Sequence, residues 1–276
     1  MKTPLTRSET SLLVALLMAC AVACLGPAVA QYADYHAFAD QRTLWGLPFA
    51  MDVLSNIPFA LMGAWGLVRL GSTTAPRARR IGFATLVPCD AQRPLALLFF
   101  CGLLITALCS SYYHLHPDNA GLTVDRMGML VPFAGLMGLA TADRISGRAG
   151  QWTAAAVLAL GPIAVGVWAL TGNLLPWSVL QGGGMVLIAC LALRRQLVGA
   201  WGVPLLAVIV WYAVAKVLEL CDHQVLAIAH GCVSGHTLKH IAAAMAAWPV
   251  IAVMQNGAYS GQPRLWPPAA VRTPAT

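Results

Sequence analysis

Residues 95–142 read LALLFFCGLLITALCSSYYHLHPDNAGLTVDRMGMLVPFAGLMGLATA. Two apolar runs, each about the 17–25 residues that cross a hydrocarbon layer, are joined by a short polar turn. Ser110 and His114 close the first run, and Asp125 and Arg126 open the second. A soluble helical hairpin would alternate apolar and charged faces. Here the charges stand only at the ends, so the pair is predicted to cross a membrane.

The same pattern extends through the chain. Further apolar runs occupy about 11–30, 50–70, 152–171, 175–193, 203–219 and 237–255, eight in all with the pair above. Pro58, Pro132, Pro162 and Pro249 fall inside runs, which membrane helices tolerate better than soluble ones. Of the 276 residues, 59% are hydrophobic and 10% charged, where a soluble domain carries about 25% charged residues. The expected fold is therefore all-α and polytopic: a seven-helix core over 32–256, an N-terminal apolar helix in 1–31, and a mobile Pro- and Gly-rich tail over 257–276. The first run follows Lys2 and Arg7 and ends in Ala28-Val29-Ala30. It reads as a retained anchor, with a cleavable signal peptide as the alternative.

The net charge of +7 has an orienting role. Arg69, Arg77, Arg79, Arg80 and Arg93 flank one connection, Arg144 and Arg148 another, Arg194 and Arg195 a third, and Arg264 and Arg272 lie in the tail. The alternate connections, HLHPDNAGL, TGNLLPW and CDHQVLAIAHGCVSG, carry neither Lys nor Arg, and Arg42 is the exception on that side. Positive charge stays in the cytoplasm, which places both termini there. No interleaving of basic and aromatic residues marks a nucleic-acid surface. The eight cysteines form no CxxC motif. Most lie in apolar runs as small hydrophobes, while Cys221 and Cys232 bracket a connection where a disulfide can form if it is extracytoplasmic.

With this topology the polar residues collect at one membrane face. Ser110 and His114 end one helix, Asp125 begins the next, and His236 and His240 of SGHTLKH begin the last. Asp52, Ser55 and Asn56 lie at the same level. Histidines four apart share a helical face. Two of them with a third from another helix provide three neutral imidazoles and leave a fourth tetrahedral position for water, as in a catalytic zinc site. Ser110, one turn before His114, can hydrogen-bond that water or an oxyanion, and Asp125 can carry its proton to a leaving amine. Plainer readings stand beside these. His36, His116, His223 and His230 read as interfacial, with His116 the substitute for His114. Asp125–Arg126 can be a structural ion pair, and Lys216 and Glu219 can pair across one turn.

These elements, DVLSNIPF at 52–59, the SxxxH of Ser110 and His114, Asp125, and the HxxxH of His236 and His240, resemble the alkaline ceramidases. That family belongs to a superfamily of seven-helix membrane hydrolases that includes the adiponectin-type receptors. The resemblance covers about residues 32–255 and is nearest to the compact bacterial members. It implies zinc bound by His114, His236 and His240, Ser110 and Asp125 as catalytic partners, and hydrolysis of the amide of a ceramide-like lipid in a bacterial inner membrane. It differs in the stretch before the core, YHAFADQRTLWGLPFAMD, whose only acids with Asp34 are Asp40 and Asp52; no calcium ligands are assigned. Lys239 also stands where many relatives have an aromatic residue. The rival expectation is a receptor with a structural zinc, for which His116 is the natural fourth ligand. A transporter expects polar residues along the whole path across the bilayer, not at one end.

Overall fold

The computed structural model describes residues 4–72 and 91–255. The expected tail, together with Arg77, Arg79, Arg80, Arg264 and Arg272, lies outside the described residues. Those described form helices and connections, with no strand beyond an isolated bridge between Leu44 and Leu47. In chain order the helices are α1 (Arg7–Leu25), α2 (Ala50–Leu54), α3 (Ile57–Ser72), α4 (Gln92–Leu115), α5 (Asn119–Arg144), α6 (Gly147–Thr171), α7 (Leu175–Ala192), α8 (Leu205–Leu220), α9 (Asp222–Ile228), α10 (Gly235–Met245) and α11 (Trp248–Gln255).

Among the described residues, seven stretches are long and apolar enough to cross a membrane: α1, Ala50–Ser72, α4, α5, α6, α7 and Gly235–Met254. Seven of the eight expected runs thus become full spans, two of them built from consecutive helices. The eighth, α8, has 16 residues and at 1.5 Å per residue is about 24 Å long. The outside of the bundle is what water would reject. Leu108, Leu170, Val186 and Leu206 all stand exposed there, an apolar surface suited only to hydrocarbon. The chain is an integral membrane protein.

α5 is the hub, with 61% of its spanning window buried against 11% for α1. It packs against α4 at backbone distance because glycines face it. A Cβ on Gly102 would lie 2.3 Å from the nitrogen of Pro132, and one on Gly135 would lie 2.4 Å from that of Phe99. This close packing sets the α4–α5 hairpin, whose turn carries Ser110, His114 and Asp125 at one end of the bundle.

The opposite end holds the arginines. Asp143 pairs with Arg144 and accepts from Gln92 and the Gly202 amide, while Gln92 accepts from the Trp201 amide at 3.0 Å. α1 docks here too. Its buried Glu9 accepts from Ser146 at 2.6 Å and from Arg148 at 2.6 Å, and Arg194 donates to Ser8. Beyond its far end, the Val29 amide donates to Asn173 and the Leu174 amide to the Val29 carbonyl.

Candidate metal centre

His114 occupies the last turn of α4 with Ser110 one turn before it, and both are buried. His236 and His240 lie on one face of α10, also buried. The start of α10 is fixed by three contacts. Ser234 caps it by accepting from the Thr237 amide at 3.0 Å. The Asp222 carboxylate accepts from the His236 amide at 2.7 Å. Gly235 lets α10 meet α8 directly, since a Cβ there would lie 2.2 Å from the Leu218 carbonyl.

The three rings converge. One nitrogen of each of His114, His236 and His240 lies within 4.8 Å of the others. The Nε2 atoms of His114 and His236 are 3.3 Å apart. Two nitrogens bound at 2.0–2.1 Å to one tetrahedral zinc ion are also separated by about 3.3 Å. A hydrogen bond between two imidazoles would account for one such pair but not for a third buried ring aimed at the same point. The group can hold a metal ion.

Hydrogen bonding favours the ligating form of His240. Its Nδ1 lies 2.7 Å from Ser55 Oγ, and Ser55 donates to the Asp52 carbonyl at 2.9 Å. The single hydroxyl proton is thus used on the carbonyl, so Ser55 accepts from Nδ1–H and Nε2 keeps its lone pair. Asp52 itself is held by the Thr237 hydroxyl at 2.8 Å. Replacing Ser55 with Ala is expected to lower metal affinity by roughly 10–100-fold, the usual effect of losing an outer-shell partner. Competition with a chelating dye measures it, and unchanged affinity would show that Ser55 does not orient His240.

Phe38 covers the cluster, with its ring centroid 4.8 Å from that of His114 and 4.4 Å from that of His236. The connection that carries it, residues 26–49, is tied to the bundle. The Ala39 amide donates to Asp222 at 3.0 Å, and His36 Nδ1 lies 2.8 Å from the Tyr113 hydroxyl. Arg42 donates to Asp40 at 2.8 Å and 2.5 Å and to the Cys232 carbonyl at 3.0 Å. The guanidinium holds the Asp40 carboxyl below its ordinary range. Arg42 is therefore neutralised where it stands.

Asp125 is buried close to Ser110, and its Oδ1 has no hydrogen-bond partner among the described residues. Both expected polar partners are thus side by side, next to a ligand helix. Arg126 is not their ion partner. Its guanidinium lies 3.9 Å from the centroid of Trp168 and donates to Gln31 at 2.6 Å. The other histidines are elsewhere: His116 is an exposed cap of α4, His223 faces the Ala37 carbonyl, and neither joins the three-ring group. Cys221 and Cys232 are free thiols. Lys216 pairs with Glu219 across one turn as expected, and Lys239 joins them at 2.9 Å.

Phe38 and Asp222 were not legible as site residues. Phe38 is one of several apolar residues in its connection, with Leu44, Trp45, Leu47 and Phe49, and nothing in the sequence sets it apart, while Asp222 follows a helix end with no motif around it. Together, fold and site define a membrane-embedded helical protein with a buried three-histidine cluster able to bind a metal. No protein-family model matches the chain, and no curated protein or solved structure is significantly similar to it.

Proposed function

We propose that the protein is a zinc-dependent hydrolase that cleaves the amide bond of a ceramide-like N-acyl lipid, releasing a fatty acid and a long-chain amine. The observation that carries this reading is the convergence of three buried imidazoles beside Ser110 and a buried Asp125 whose Oδ1 has no hydrogen-bond partner among the described residues. Zinc held by His114, His236 and His240 supplies Lewis acidity and acidifies water toward neutrality. Asp125 accepts the proton of the attacking water and returns it to the departing nitrogen. Ser110 donates to the carbonyl oxygen as it gains charge. The amide C–N bond breaks, hydroxide adds to the acyl carbon, and the amine leaves protonated.

The rival receptor reading calls for a closed site with four protein ligands, whereas this group has three. The arginine-rich end then faces the cytoplasm by the charge rule, which puts the site near the extracytoplasmic face of the inner membrane. The test is fatty-acid release from a ceramide labelled on its acyl chain, using purified protein. Release is expected to stop with a strong chelator and return with added zinc. Undiminished release from protein shown to be metal-free would refute the proposal.

A further inference from the structure

Lys216 of α8 and Lys239 of α10 share one carboxylate, Glu219. Two ammoniums and one carboxylate leave a local charge of +1. The cluster also has an unusual location. The Lys216 side chain is 47% exposed, on a helix whose Val210, Val214 and Val217 are exposed apolar residues. It lies four residues before the end of α8 at Leu220, about 6 Å along the axis. At its other end, Lys239 Nζ is 3.5 Å from Nδ1 of His236. The cluster thus runs from the apolar outer surface to the histidine centre.

Ammonium groups set against the apolar outer surface are costly and mark ligand paths. Each ammonium offers three donors, and Glu219 takes one from each. Once Nε2 of His236 faces an ion, its Nδ1 carries the ring proton and cannot accept from Lys239. Donors are left over, and they point to an anion as the missing partner.

The geometry points to a negatively charged group on the lipid handled at this site, a carboxylate or phosphate bound by Lys216 and Lys239 a few bonds from the scissile amide. This rests on the amide-hydrolase reading and, within it, ranks anionic N-acyl amphiphiles above neutral ones of the ceramide kind. Glu219 sets the strength of the grip by competing for both ammoniums.

The test compares two acyl-fluorescent probes of equal chain length, N-acylglycine with its carboxylate and neutral N-acylethanolamine. Binding is measured to the purified full chain in phosphatidylcholine vesicles, and cleavage is recorded separately. Glycine-probe binding is expected to be at least about tenfold tighter, the worth of one charge-assisted contact. The double variant Lys216→Gln/Lys239→Gln is expected to abolish the preference, and Glu219→Gln to increase it. Equal binding of both probes to the wild type would overturn the inference, whether or not the variants fold. Displacement of the glycine probe by phosphatidylglycerol at the same mole fraction would also overturn it, by assigning the anion to bulk lipid. A preference without cleavage would leave this inference standing and sink the hydrolase reading. Cleavage without a preference would do the reverse.

Discussion

Replacing either His236 or His240 with Ala is expected to remove bound zinc and to lower amide hydrolysis on the order of a thousandfold or more, because both the Lewis acid and the source of nucleophile are lost. Both rings are buried and meet His114 at one point, so two remaining imidazoles cannot close a site by recruiting a neighbour. His116 is exposed at the α4 cap and absent from the group. Metal analysis of the purified variants, alongside helix content by circular dichroism, separates metal loss from misfolding. A folded His240→Ala protein that retains stoichiometric zinc, or turns over without it, would contradict the assignment.

The second large effect is on rate without metal. Asp125→Asn keeps size and hydrogen-bonding capacity but removes the proton acceptor. Turnover is expected to fall by roughly 10²–10⁴, the usual contribution of a general base, with zinc content unchanged. The amide has nearly the shape of the carboxylate, so the packing around the buried Asp125 and Ser110 should survive. Wild-type kcat in this variant would make Asp125 a structural residue. Loss of zinc would move it into the metal's own support.

The spans were legible because hydrocarbon imposes one requirement along the whole length of a helix, and the apolar runs around Leu103, Leu136 and Val157 satisfy it without any tertiary knowledge. The three-histidine group was legible because i, i+4 spacing fixes His236 and His240 on one face, and Asp125 was legible beside it because the α4–α5 turn is too short to separate it from His114. Other features depend on partners far away in sequence. The first core span starts directly after Phe49, whose backbone is left-handed at φ 45°, a conformation that nothing in GLPFAMD at 46–52 announces. The length of α8 is set by Pro204 at its start and by the turn at Cys221, not by the apolar run. Arg126 could be placed beside Asp125 by sequence alone, yet its guanidinium turns to Trp168, a residue from another helix.

Asp222 accepts from the Ala39 amide with one oxygen and from the His236 amide with the other. The strand of chain that seats Phe38 above the rings and the helix that presents two of them are therefore pinned to a single swivel. Any movement that unroofs the centre for a bulky guest must either rotate about that side chain or surrender a bond that also aligns the imidazoles, so admission and alignment are mechanically geared.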